Sequence, residues 1–141
     1  MSDLPVRASA WWADLEKRLK GSGVKLEAEI ASDGNIPAGL FDSFVENTLD
    51  NARAKRVREP DAAISIHLRF DAQLAELNVC DTGSAVPDFV SQRLFREPVE
   101  RAAGMGIGLY HLARLAHSAG YRVELSRNAH GDVCFALLRQ G

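Results

Sequence analysis

Two pairs of short alternating stretches, each pair joined by a few turn residues, constrain this chain more than any other feature. Residues 62–70 place Ile64, Ile66, Leu68 and Phe70 on one face, and residues 75–80 do the same with Leu77 and Val79. Asp71 to Gln73 between them predicts a hairpin. Residues 121–127 and 132–138 make a second hairpin through the turn RNAHG. A further strand is predicted over 24–30, where Val24, Leu26, Ala28 and Ile30 alternate with Lys25, Glu27 and Glu29. Helical spacing appears over 8–19 (Trp11, Trp12, Leu15, Leu19), over 38–57 up to the stop at Pro60, briefly over 88–94, and over 109–119. SDGNIP, before the second helix, is expected to be a loop. Strands joined by tight turns lie antiparallel, so the sheet is mixed or antiparallel with helices on one face. This is an α+β sandwich.

With 141 residues the chain is expected to be one domain, a helical segment over 1–23 followed by a core over 24–139. Its 17 Lys+Arg against 19 Asp+Glu give a net charge of −2. That excludes a strongly basic nucleic-acid binder held by phosphate neutralisation, while leaving room for a local pocket for one nucleotide. Cys80 and Cys134 are far apart in sequence and are expected to be reduced thiols of a cytoplasmic domain. No apolar run reaches the ~20 residues of a spanning helix, and no signal-peptide pattern opens the chain. No membrane contact by this domain is expected, and a parent anchored in the inner membrane is compatible with that.

Three segments carry chemistry. In FVENTLDNARAKR, Asn47 and Asn51 share a helical face with Ala54 and Lys55. Amide oxygens are hard ligands suited to a magnesium–phosphate group. A solvated polar face is the other reading of the same pattern. In VCDTGSAVP, Asp81 ends an apolar strand just before a glycine turn. It can accept a hydrogen bond from a base amino group, or simply make an Asx turn. In GMGIGLYHLARLA, Gly104, Gly106 and Gly108 precede a helix and let backbone N–H groups approach phosphate. The pattern is neither a P-loop nor a dinucleotide fingerprint.

In this order the three resemble the Bergerat-fold ATPases, and among them the catalytic, ATP-binding domain of bacterial sensor histidine kinases. ENTLDNA is similar to the N-box, DTGSA to the first glycine box, LFREP to the F-box and GMGIGL to the second glycine box. The resemblance covers roughly 24–138. It implies a two-layer sandwich with a mixed, mostly antiparallel sheet, and a cleft for ATP and Mg²⁺. By that resemblance Asn51 holds Mg²⁺, Asn47 lines the same site, and Asp81 binds the adenine amino group above a turn shaped by Gly83. Phe95 anchors a lid, mobile without nucleotide. Gly104, Gly106, Gly108 and Leu109 close that lid and cradle phosphate. Lys55 and Arg101 are candidate catalytic contacts to phosphate alongside Asn47. Two positions depart from the family pattern. Ala85 stands where the first glycine box has its last glycine, and Ala54 where a Lys or Arg is frequent.

Hydrolytic members of that superfamily carry a Glu four residues before the magnesium Asn. Here that residue is Asn47, and Glu46 points about 140° away around the helix from Asn51. A general base must lie within hydrogen-bond reach of its water, so the resemblance favours a protein-histidine kinase. Its partners would be a histidine-bearing dimerisation domain of the parent kinase and, downstream, a response regulator. None of His67, His111, His117 and His130 sits on an N-terminal helix as an acceptor. An isolated monomer is therefore expected. The alternatives are an anti-sigma-factor-type serine kinase and a degenerate lobe that only docks a partner. Of the adjacent Trp11 and Trp12, either both pack within the domain or one faces the absent dimerisation domain.

Overall fold

A computed structural model of the chain describes residues 5–96 and 108–140. In chain order the elements are β1 (Pro5–Arg7), α1 (Ala8–Arg18), β2 (Lys25–Ile30), β3 (Asn35–Pro37) and α2 (Ala38–Arg58). They continue with β4 (Ile64–Phe70), β5 (Ala75–Asp81), α3 (Asp88–Ser91), α4 (Gly108–Ser118), β6 (Tyr121–Ala129) and β7 (Asp132–Arg139). The main sheet runs β2-β4-β5-β7-β6. Only β2–β4 is parallel, and α2 lies in the long connection that a parallel pair requires. The sheet is thus mixed and mostly antiparallel, with helices on one face, as the hairpin pattern predicts.

The alternation seen in the sequence is the alternation of faces. Ile64, Ile66 and Leu68 on β4, Leu77 and Val79 on β5, and Val133, Phe135 and Leu137 on β7 enter the core. Leu40, Phe41, Phe44, Val45, Leu49 and Ala52 of α2 and Leu109, Leu112 and Ala116 of α4 meet them. Both tryptophans are buried within the domain. Trp11 lies edge-on to Phe41, with ring centroids 5.3 Å apart, and its indole N–H donates to Asp42 at 2.8 Å. The helix α1 is therefore part of the one core.

Three local expectations change. Asn35–Pro37 of the anticipated loop is a strand, paired antiparallel with Pro5–Arg7. Three-residue strands carry no readable period. The strand β6 runs on to Ala129, so His130 and Gly131 alone make the turn. The third change is chemical: Cys80 and Cys134 form a disulfide. They are direct partners in the β5–β7 register, a neighbour relation that spacing along the chain cannot reveal. The expectation of reduced thiols is corrected accordingly.

The β1–α1 junction is tied by Asp33. Its carboxylate accepts from the Ser9 hydroxyl, from the Ser9 N–H at 3.1 Å, from the Gly34 N–H at 2.9 Å and from Arg7 Nε at 3.2 Å. It serves as an N-cap supplied from another segment. The Ser9 hydroxyl above all, with these other donors, holds the acid down from 3.8 to about 2. A lowered folded pKa means that the stabilisation is complete above 3.8 and disappears as pH falls towards about 2. Asp33→Ala is expected to lower Tm at neutral pH. In thermal melts across that acid window the gap from wild type should shrink. A gap constant with pH would refute the assignment.

Candidate functional site

The site is built where α2 crosses the end of the central strand β5. Asp81 is the last residue of β5, flanked in register by Ile64 and Val133, and it is buried. On α2 the buried positions Phe44, Thr48, Ala52 and Lys55 continue one stripe. The spacing therefore delivers a lysine into the core. Its Nζ donates to Asp81 Oδ1 at 3.0 Å, to Asp81 Oδ2 at 3.2 Å and to the Ser84 carbonyl at 2.8 Å. Both side chains are less than a tenth exposed. A buried cation is tolerated only with such a partner.

The turn after Asp81 is shaped around this pair. Gly83 N–H donates to Asp81 Oδ1 at 2.8 Å. A Cβ on Gly83 would stand 2.5 Å from Lys55 Cδ and 3.2 Å from Glu59 Oε1, so any other residue would force the Lys55 stem aside. Glu59, just past α2, accepts from the Ser84 N–H at 2.8 Å and the Ser84 hydroxyl at 2.6 Å. The Ser84 hydroxyl, then its N–H and the nearby Lys55 and Arg58 charges, hold the Glu59 carboxyl below its ordinary value. Further along, Asn128 of β6 clamps the backbone of Val86 from both sides, at 2.7 and 2.9 Å. Neither Glu59 nor Asn128 was legible as a site residue. Glu59 reads as one more charge at a helix end, and Asn128 as a hairpin residue.

On the same helix, Asn47 Nδ2 is committed to its own backbone, donating to the Ser43 carbonyl at 2.8 Å. Asn51 is different. Its Nδ2 is buried and has no hydrogen-bond partner among the described residues. It lines a cavity of about 10 Å³ together with Thr48, Lys55, Val79, Asp81 and Phe135, room for one water at most. The α4 N-terminus closes in from the other side. A Cβ on Gly108 would collide with Asn47 Oδ1, and the next residue, Leu109, is fully buried. The first and third sequence segments therefore meet at Asn47 and Gly108, and the first and second at Lys55 and Asp81.

Phe95 is half-buried and packs edge-on against Phe135, with centroids 6.3 Å apart. Ala54 and Arg53 are exposed. Lys55, anticipated near phosphate, is paired with Asp81 in the chain without nucleotide. Arg101, Gly104 and Gly106, with most of the anticipated 95–103 lid, lie outside the described residues. Glu46 is exposed, as its angle on the helix requires. His67 pairs with Glu29 at 2.7 Å on the strand surface, His111 and His117 lie exposed on α4, and His130 is in the β6–β7 turn.

No protein-family model matches the chain. The mycobacterial sensor histidine kinase MprB superposes with a TM-score of 0.68 at 19% identity, covering 98% of this chain and all of that one. The catalytic domain of histidine kinase ThkA gives 0.68 at 12% identity, over 97% of this chain and 95% of its own. The chain has the fold of a histidine kinase catalytic domain. Full-length ShkA in complex with AMPPNP shares it, with a TM-score of 0.72 at 17% identity over 96% of this chain and 30% of that protein. In sequence, the chain is 29% identical over 133 residues to the adaptive-response sensory kinase SasA of a Synechococcus strain, and 27% identical to that of Parasynechococcus marenigrum. Each match covers 86% of this chain and 34% of the kinase, so the chain spans about a third of these relatives. The similarity in sequence is thus to part of a sensory kinase, and the similarity in structure is to the fold of histidine kinase catalytic domains.

The residues present fit a magnesium–phosphate group. The orphaned Nδ2 of Asn51 matches an anionic oxygen, and its amide Oδ1 is a hard donor for Mg²⁺. Among the described residues no cluster of three or more His, Cys, Asp or Glu converges. An ion here would rely on phosphate oxygens and water for its remaining ligands.

Proposed function

We propose that this chain is the ATP-binding catalytic domain of a two-component sensor histidine kinase. It binds Mg-ATP and transfers the γ-phosphoryl group to a histidine on a separate dimerisation domain. The observation that carries the reading is Asn51: its Nδ2 is buried without a partner among the described residues, in a cavity shared with Asp81 and in a fold shared with histidine kinase catalytic domains. Asp81 is the acceptor for the base amino group, with Gly83 giving it its turn. Asn47 and Gly108 bound the phosphate end, and Phe95 anchors the segment towards Arg101, Gly104 and Gly106. Bound Mg²⁺ would offset charge on the phosphates.

The transferred group needs little covalent help from the domain, so positioning and charge stabilisation suffice. The imidazole nitrogen gives its electron pair to the γ-phosphorus. The bond to the bridging oxygen breaks, ADP leaves with that pair, and the imidazole proton is released. With Glu46 turned to solvent and Asn47 at the position facing the site, no carboxylate on α2 is placed to activate water. That supports transfer over hydrolysis. The partners under this reading are the dimerisation domain of a cytoplasmic or inner-membrane parent and its response regulator, the isolated domain being a monomer. Among the described residues no helix is long and apolar enough to cross a membrane.

Calorimetric titration with AMPPNP, with and without Mg²⁺, tests the site. Wild type is expected to bind one-to-one, more tightly with Mg²⁺. Asn51→Ala should lose the Mg²⁺ enhancement and weaken binding more than tenfold. A wild-type chain that is folded and takes up no analogue at millimolar concentration would overturn the reading as an active lobe. Label transfer from ATP to an added histidine-bearing helix, giving an acid-labile product, then distinguishes this chemistry from a serine kinase.

A further inference from the structure

We propose that Lys55 is a built-in occupant of the base subsite. Its ammonium sits on Asp81 where an incoming base amino group would dock, and it must leave before a nucleotide base can seat. The inference rests on the reading of this cleft as an ATP site and names what regulates entry to it.

Three of the roughly four acceptor positions of the Asp81 carboxylate are already engaged. Oδ1 takes the Gly83 N–H and Lys55, and Oδ2 takes Lys55 again. The third ammonium hydrogen goes to the Ser84 carbonyl, so Lys55 has no donor to spare. The lysine stem passes directly over Gly83, and the remaining space is about 10 Å³. A purine is many times larger. The contact is also chemically matched to its rival. Both are N–H donors to one carboxylate, and the resident is charged, which makes its hydrogen bonds the stronger. A base amino group alone is therefore a poor competitor.

The displaced ammonium has somewhere to go. Glu59 flanks Gly83 on the same side as the lysine stem, its Oε1 3.2 Å from the point that Lys55 Cδ approaches to 2.5 Å. Rotation of the stem towards Glu59 would exchange one carboxylate for another. Opening then costs an ion-pair rearrangement rather than the exposure of a lone charge. The consequence is a site of weak intrinsic affinity whose occupancy depends on anything that draws Lys55 away from Asp81.

The test uses two probes on the folded chain: Mg-AMPPNP and adenosine, which carries the base without phosphate. Lys55→Ala is expected to bind both at least tenfold more tightly than wild type, with adenosine binding rising in parallel. Lys55→Met, which keeps the stem and drops the charge, should fall between the two. If Lys55→Ala does not fold, Lys55→Met carries the same comparison, and if the stranded carboxylate unfolds both, the wild-type ammonium measurement decides, retained protection at saturation overturning the inference. In wild type, the Lys55 ammonium resonance should be protected from exchange in the free protein and lose that protection on saturation with AMPPNP. Saturable wild-type binding that Lys55→Ala leaves unchanged or weakens overturns the inference and leaves the ATP reading standing. Weaker AMPPNP binding with adenosine unaffected would instead make Lys55 a phosphate ligand. If neither protein binds either probe, both readings fall together.

Discussion

Asp81→Asn should lower the stability of the folded chain by about 3–5 kcal/mol, the usual result of removing one partner from a buried ion pair. The amide keeps the shape of the side chain and can still accept from Gly83. What it cannot do is balance Lys55, whose ammonium is held in a shell less than a tenth exposed. The loss is a large share of the 5–15 kcal/mol that holds a typical domain together. Urea denaturation followed by circular dichroism measures it directly. The partner experiment is the double variant Asp81→Asn/Lys55→Met. With the cation gone as well, most of the stability should return, because replacing both members of a buried pair by neutral groups is far less costly than replacing one. The cycle should therefore be strongly non-additive. Additive changes, or a wild-type midpoint for Asp81→Asn, would mean that the pair does not hold the fold.

This result decides how binding data on Asp81 are to be read. A variant that loses nucleotide binding because its core is strained says nothing about a base contact. The double variant removes the carboxylate without stranding a charge, so a loss of AMPPNP affinity relative to Lys55→Met belongs to the missing carboxylate. A tightened affinity in Lys55→Ala alone, set beside that loss, would assign both halves of the contact separately.

The same pair marks where the sequence stops being informative. Periods of two and of 3.6 residues locate the five main strands and the three longer helices because each is long enough for its buried face to repeat. The strands β1 and β3 have three residues each, and no repeat can show in three. The helical angle of Lys55 puts it near the face of Asn51, but not on Asp81. That partner is 26 residues away and becomes a neighbour only when α2 lies across the end of β5. A signal was nevertheless present. Lys55 falls in step with Phe44, Thr48 and Ala52, and a cation on a core stripe demands a buried carboxylate. The helical spacing singles out Asn51 as a candidate, whereas the burial of its Nδ2 without a partner among the described residues is a fact of packing. The Asn128 clamp on Val86 and the Cys80–Cys134 link both join segments whose adjacency is set by strand order, which alternation within a strand does not encode.

Reduction of the Cys80–Cys134 bond is the second large effect, and its expected size follows from chain entropy. The bond closes a loop between residues 54 apart. Cross-linking a loop of that length restricts the unfolded chain by about 4 kcal/mol in the entropic model, and measured bonds commonly deliver about 2–4 kcal/mol. The native state should change little. The two residues already face each other across the β5–β7 ladder with Cα atoms 4.1 Å apart, and that ladder does not need the bond. Stability should therefore fall through the unfolded state alone, giving a lower denaturant midpoint but an unchanged native spectrum. Cys80→Ser and Cys134→Ser should each reproduce the drop and be indifferent to reductant. Two readings check it. Thiol titration of the unreduced, denatured chain should find no free thiol, and oxidised and reduced samples should differ in midpoint by that amount. Free thiols under the first test would mean that the link does not form in solution. Equal midpoints under the second, with the bond present, would mean that the unfolded chain is already so compact near these residues that closing the loop restricts it no further. The loop also encloses the Asp81 turn and α4, two of the elements that converge on the candidate site. Loss of the bond should accordingly lower the free energy of local opening there before it reaches the β2–β4 edge, and hydrogen exchange resolved by residue would see that order directly.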